Sequence, residues 1–419
     1  MLIVLGAVLL FGGGGGRQPK PQNVELTWWK TFEDPSNISE LISQYQDLHK
    51  NVKINYVKKD IATYEQELIN TLAAGNSPDI FTIHNDWLPK HQDKLTPMPA
   101  QLMGLREFQE TFVDLAMFDL VKDGQIYALP LSIDVLALYY NKDILGSAGI
   151  PTPPVTWPEL VSDVEKITTQ DATGNFLKSG IAMGAAGNVN RAVDLLLLLM
   201  VQNGTEFYSA DLASARFADQ QNISGERFNP GATALEFYTQ FANPGKKSYT
   251  WNDQSDFSVD AFTQSKVGMM LSYYYMIPVI ESKAPNLNWA VAPAPQVSAT
   301  GSKMNFANYW AEGVSKFSPN ADVAWDFLKF ITGRQQLEGY YEKHKLPASR
   351  KDILATQIPD PEIGVFAESV LTAKSVYKKD AGIFETVFLK MIDDVTFRDF
   401  TPEEAVRNAA QQINLGLRK

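Results

Sequence analysis

Between residues 24 and 83 the hydrophobic pattern changes period four times, and few folds satisfy that alternation. Val24, Leu26 and Trp28 alternate with Glu25 and Thr27, a two-residue repeat that predicts a strand over residues 24–29. Ile38, Leu41, Ile42, Tyr45 and Leu48 then recur at helical spacing. A second strand over 52–57, a second helix over 61–74 stopped by Gly75, and a third strand over 79–83 follow. Strand, helix, strand, helix, strand at these lengths is a parallel α/β unit with right-handed crossovers. Ligands of open sheets of this kind bind beyond the carboxyl ends of the strands. Two loops are singled out: residues 29–34, with Trp29, Phe32 and Glu33, and residues 84–87, with Asn85, Asp86 and Trp87. Trp28 alternates inward and belongs to the core.

The chain has 419 residues, 45% of them hydrophobic, which is too long for one core and predicts two lobes. A formal net charge of −11 argues against a nucleic-acid partner, whose phosphates demand a basic surface. There is no cysteine, which excludes disulfides and thiolate chemistry. Residues 1–16 are an apolar run followed by five glycines, and 17–23 have linker composition. The run is short of the roughly 20 residues that span a bilayer. It predicts a signal segment or anchor, and hence export.

A run rich in Leu, Ile, Val and Tyr over 128–140 predicts a buried extended segment, interrupted by Asp134. Pro151, Pro153 and Pro154 lead stiffly into Thr156-Trp157-Pro158-Glu159, a capping box that starts a helix. The stretch YALPLSIDVLALYYNKDILGSAGIPTPPVTWPEL resembles the first inter-lobe crossing of the sugar-type, maltose-binding-protein-like family of bacterial extracellular solute-binding proteins. LAAGNSPDIF at 72–81 resembles the same family. So does DAFTQSKVGMM at 260–270 followed by Tyr273-Tyr274-Tyr275, WAVAPAP at 289–295, and Leu346-Pro347-Ala348-Ser349. The resemblance covers residues 24–415.

Between these stretches the residues predict a small-residue strand at 179–184, a buried helix at 193–201, a loop or insertion at 211–228 and a helix at 230–241. Residues 308–314 return to the first lobe. An amphipathic helix follows at 321–331, then closing helices at 384–395 and from Thr401, where Thr401 and Glu404 form a second capping box. The resemblance implies a two-lobed, type II periplasmic-binding-protein-like α/β fold. Each lobe would be a mainly parallel sheet flanked by helices, with a cleft between. Lobe 1 would hold 24–133 and 295–338, lobe 2 134–294 and 339–419, with crossings near Asp134, Pro295 and Leu346.

No phosphate-loop, zinc-protease or nucleophile-elbow motif occurs. The four histidines are scattered, so no metal, cofactor or catalytic residue is expected. A binding constellation remains. Sugars offer hydroxyls to planar polar groups and flat C–H faces to aromatic rings, in a concave site. The resemblance places Asp134 where the family has a ligand-binding carboxylate, and Tyr273 to Tyr275 where it stacks an aromatic, with Tyr273 and Tyr275 as candidates. Asn188, Asn190 and Arg191 fall on the second lobe's side and Trp310 on the returning loop. Trp157 and Trp251 are assigned to packing.

The implied function is the extracytoplasmic solute-binding component of an ABC transporter: a monomer delivering a carbohydrate to a membrane permease, with no covalent chemistry. Lys30 and Arg191 leave an anionic solute open. A sensor module for a non-sugar solute, or an enzyme cutting glycans with two acids such as Asp134 with Glu33 or Asp86, are the alternatives.

Overall fold

The computed structural model describes residues 22–223 and 225–418. The apolar leader and most of the linker expected at 17–23 lie outside them. The first unit forms as its periodicity dictates. Strand β1 (Val24–Lys30) is followed by α1 (Pro35–Leu48), β2 (Val52–Lys58), α2 (Tyr64–Ala73) and β3 (Ile80–His84). β1 lies parallel to β2 on one side and to β3 on the other, with Trp28 opposite Tyr56 and Ile80. Leu26 and Trp28 are fully buried, as are Ile38, Leu41 and Tyr45 of α1, and the Trp28 ring meets Tyr56 and Phe327 edge-on.

The chain then enters the second lobe through β4 (Ala137–Asn141). The Thr156 hydroxyl accepts from the Glu159 amide while the Glu159 side chain bonds back, starting α3 (Trp157–Ile167) where the capping box predicts. β5 (Phe176–Ile181) packs on α3 through Gly180, where an added Cβ would meet the Val164 Cα at 2.6 Å. That close approach explains the small residues of this strand. The leucine-rich α4 (Ala192–Gln202) is buried, and α5 (Pro230–Thr239) packs on it. Among the described residues no helix is long and apolar enough to cross a membrane. The expected loop at 211–228 instead carries a short hairpin, Gln221–Ile223 against Glu226–Phe228.

β6 (Val267–Ser272) lies parallel to β5, and β7 (Trp289–Pro293) completes the main sheet. β4 sits between β6 and β7 and is antiparallel to both. The chain crosses back through β8 (Asn305–Asn308) into β9 (Trp310–Ser315), which joins the first sheet antiparallel to β3. Each lobe's main strands therefore share one direction, as expected, and each sheet admits a reversed strand delivered from the other lobe; the second sheet also carries the short strand Thr169–Gln170 antiparallel to β5. The reversal has a simple cause. β4 and β9 begin at the crossing, so they run away from the cleft while their neighbours run toward it.

The crossings meet in a small sheet. Asp134 pairs with Asn308 and Val135 with Ala307, while Asn305 and Phe306 pair with Ala373 and Lys374. Pro347 and Ala348 lie along the first crossing, bonded to Ile133 and paired with Ser132. α6 (Ala321–Ile331) and α7 (Arg334–His344) pack on the first lobe, and so does the helix Lys351–Gln357. Residue 338, the expected lobe boundary, lies within the span of α7. α8 (Gly364–Val370) covers β7, and α9 (Ala381–Phe397) and α10 (Pro402–Leu417) close the second lobe against α4 and α5.

Removing the hydroxyl that starts α3 tests the local logic. Thr156→Ala should lower unfolding stability by about 1 kcal/mol in urea denaturation, with the slope of the transition unchanged.

Candidate ligand-binding cleft

The carboxyl end of β1 turns at Phe32. The Glu33 amide donates to the Thr31 carbonyl at 2.7 Å and Phe32 takes φ 62°, a left-handed conformation costly for a bulky side chain. The ring is 55% exposed and meets Trp310 edge-on, with centroids 5.7 Å apart. Trp310 in turn lies edge-on to His84 at 5.0 Å and to Trp87 at 5.3 Å. A buried polar network supports this wall from below. The Glu312 carboxylate accepts from the Lys30 ammonium at 2.6 Å, from the Trp28 indole at 2.8 Å and from the Thr82 hydroxyl at 2.8 Å. Burial opposes charge on Lys30, but Glu312 and Glu33 hold its pKa above the ordinary value.

Asp134 forms the floor. One carboxylate oxygen accepts from the amides of Val135 and Tyr274, both at 2.8 Å, and the other from the Tyr275 amide at 3.2 Å. The acid in the hydrophobic run is there to tie the hinge to the aromatic loop of the second lobe. Burial lifts its pKa to about 7 against the pull of those amides. The side-chain oxygen of its backbone partner Asn308 accepts from His84 Nε2 at 3.0 Å, and His84 Nδ1 meets Asp86 at 2.6 Å. A continuous polar line therefore runs from Tyr275 through Asp134, Asn308 and His84 to Trp310.

The second wall resolves the three tyrosines. Tyr273 is fully buried, its hydroxyl donating to Asp194 at 2.8 Å, so its expected exposure to the cleft is corrected. Tyr274 is buried against Phe366. Tyr275 is 45% exposed and stacks on Tyr273. Asn190 reaches the Tyr275 hydroxyl and the Ser272 hydroxyl, both at 3.4 Å. Arg191, with φ 60°, caps α4 and pairs with Asp194 at 2.6 Å.

Four further candidates are occupied elsewhere. Asn85 is buried, donating to Asp119 at 3.2 Å. Asp86 is buried between His84 and the Lys378 ammonium at 2.9 Å; burial resists ionisation, yet those two neighbours hold its carboxyl well below the usual range. Asn188 spends both ends of its amide on Trp251 and the carbonyls of Asn252 and Ser255. Trp87 is 9% exposed and stacked on Tyr64. Trp29 lies within β1, with the Lys59 ammonium 3.9 Å over its ring, and Glu33 is 3.2 Å from Lys30. Phe32, Trp310, Asp134, Asn190, Arg191 and Tyr275 remain together. Asn308 belongs with Trp310 to the returning loop that was expected at the cleft, whereas Lys378 and Asp119 were absent from the expected site. His84 and His91 turn to different acids, Asp86 and Glu65. Among the described residues no group of three His, Asp or Glu converges.

The profile of a family described as bacterial extracellular solute-binding protein matches residues 40–364. A Brucella abortus protein named only as a binding protein is 29% identical over 64% of this chain, and the match spans 61% of that relative's length. A galactooligosaccharide-binding protein of Bacillus subtilis is 20% identical over 77% of this chain and 72% of its own. The solute-binding protein of an ABC transporter from Thermotoga lettingae, solved with α-D-tagatose, superposes with a TM-score of 0.74. It is 22% identical, over 94% of this chain and 99% of that one.

Two outcomes follow from the buried charges. Glu312→Ala removes the nearer of the two carboxylates on the buried Lys30 ammonium, along with the partner of Trp28 and Thr82, and should cost about 3 kcal/mol in denaturant unfolding. Burial also raises Asp119 to about 7, as for Asp134. Above about pH 4 the unfolded chain has released these protons while the folded protein keeps them. Their contribution to stability is full below that point and is lost as pH rises to about 7. The fall in melting temperature between pH 4.5 and 7.5 should be shallower in Asp119→Asn than in the native protein.

Proposed function

The chain belongs to the bacterial extracellular solute-binding proteins, and from that membership we propose that it is the extracytoplasmic binding component of an ABC importer, holding a neutral carbohydrate between its lobes and presenting it to a permease. The observation that carries the reading is the pair of exposed aromatic walls, Phe32 with Trp310 and Tyr275, facing a floor of Asp134 and Asn308. Flat rings take the apolar faces of a sugar, and the amides of Asn190 and Asn308 and the carboxylate of Asp134 take its hydroxyls.

Charge narrows the solute. Lys30 is consumed by Glu312 and Arg191 by Asp194, so the two cations that would attract an anion are already neutralised. A cutting enzyme would need two free acids across one bond. Asp134 is held by three amides, Glu33 lies against Lys30 and Asp86 against Lys378. The name of the Bacillus subtilis relative, for a galactooligosaccharide, supports the same class. Both walls come from one chain, so a monomer suffices. Solute binding shifts an existing open–closed equilibrium toward the closed form by its preference for that form.

The test is a thermal-shift screen of the protein against mono- and oligosaccharides, amino acids and organic anions. A sugar at 100 times its dissociation constant should add about 2.7 kcal/mol of stability without being consumed. Tyr275→Ala should weaken its binding about tenfold, or 1.4 kcal/mol. A shift given only by amino acids or anions would overturn the carbohydrate reading, and disappearance of the sugar would overturn the binding-only reading.

A further inference from the structure

Residues 375–380 lead from the small sheet of the crossings into α9, and their side chains are shared between the two lobes. Ala373 and Lys374, just before them, pair with Asn305 and Phe306, so the segment starts at the pivot. It ends at Asp380, whose carboxylate accepts from the Ile383 amide at 3.1 Å and so caps α9. Between these points two side chains turn to the second lobe. The Tyr377 ring meets Tyr208 edge-on, with centroids 5.4 Å apart, and the Lys379 ammonium donates to the Leu417 carbonyl of α10 at 2.8 Å. Those contacts and the cap fasten the segment to the second lobe.

Three side chains of the same segment cross to the first lobe. The Ser375 hydroxyl donates to Asp119, the Lys378 ammonium donates to Asp86 at 2.9 Å, and the Asp380 carboxylate lies 3.1 Å from the Lys90 ammonium. From Tyr377 to Asp380 the partners alternate between the lobes, the two-residue repeat of an extended chain. Lys378 keeps a hold on its own side as well, its ammonium 5.5 Å over the Phe384 ring of α9. None of these contacts uses Phe32, Trp310 or Tyr275, so they form with the lobes apposed whatever lies between the walls.

Parting the lobes strands no charge. Lys378 and Asp86 are each 7% exposed here, and both return to water on separation, where regained hydration offsets lost attraction. A variant that keeps only one of them is not balanced in this way. Lys378→Met leaves Asp86 buried with less compensation when the lobes are apposed, and hydrated when they part. The substitution therefore penalises the closed form selectively.

We infer that residues 375–380 are a clasp between the lobes, and that Ser375, Lys378 and Asp380 are positioning residues that set how far the free protein is already closed. They act without touching the solute. Every solute that selects the closed form then binds with its affinity scaled by one common factor, the closed fraction that the clasp maintains.

The chain has no cysteine, so a pair of spin labels can be placed without competing sites. Ala62→Cys, beyond β2, and Asp253→Cys, beside the Asn252 carbonyl that Asn188 holds, are both exposed positions. Double electron–electron resonance on the full protein, with no solute added, should show the separation seen in this structure as a resolved population. Lys378→Met should lower the ratio of closed to open protein about fivefold. Lys90→Glu, which sets an acid against Asp380 at a side chain 35% exposed, should lower it in the same direction, and it decides alone should Lys378→Met not fold. Lys283→Met breaks an ion pair with Asp260 inside the second lobe and should leave the distribution as it is. The inference is overturned if the native protein shows no closed population, if the clasp variants keep the native distribution, or if Lys283→Met shifts it equally. No sugar enters the test, so its outcome is independent of the class of solute.

Discussion

Two backbone pairs, Asp134 with Asn308 and Val135 with Ala307, join the outgoing and returning crossings, and the rest of the molecule is arranged about them. They make the lobes neighbours without fusing their cores. Their side chains then do separate jobs. Asp134 turns into the second lobe and takes the amides of Tyr274 and Tyr275, while Asn308 turns toward His84 of the first. A two-residue ladder is thus both the pivot and the floor of the cleft. Solute resting on it would sense the angle between the lobes directly, which is how a binding event becomes a change of shape.

The charged residues around the cleft are largely spent on one another. Glu312 collects Lys30, Trp28 and Thr82; Asp194 collects Arg191 and Tyr273; Asp86 collects His84 and Lys378. Buried pairs of this kind add little net stability, because desolvation offsets attraction, but losing one partner is costly. Here they leave Lys30, Arg191 and Lys378 each beside a carboxylate partner, so none of these three cations faces the cleft uncompensated.

The first three strands, both capping boxes and the amphipathic helix at 321–331 were legible because each depends on residues within a few positions. The composition of the site was legible only in part. Phe32, Asp134, Tyr275 and Trp310 were found by strand ends and by resemblance. Asn85, Asp86 and Asn188 carry the same kinds of polar group and were indistinguishable from them in sequence. What removes them from the cleft are partners far along the chain: Lys378 is 292 residues from Asp86, and Trp251 is 63 from Asn188. No local pattern records such a distance. Tyr273 and Tyr275 differ for a related reason. Just before the helix Met276–Lys283 the Tyr273 hydroxyl reaches Asp194 of α4, and the Tyr275 ring stacks on Tyr273 from the exposed side.

The reversed strands carry a consequence for how the chain acquires its shape during synthesis. β9 pairs with the outer side of β3 and carries the short strands Leu95–Thr96 and Leu129–Pro130 on its own far side, yet 224 residues separate His84 from Asn308 just before it. At about 5–20 residues per second, that edge waits about 11 to 45 s for its partner. Until then β3 presents unpaired amides and carbonyls, the template on which stray strands associate. Neither half can be finished by a ribosome working from the amino end, so the nascent polypeptide stays incomplete almost to its last hundred residues. A sequence of this topology stays compatible with passage through a narrow channel in an extended state for as long as the gap is open.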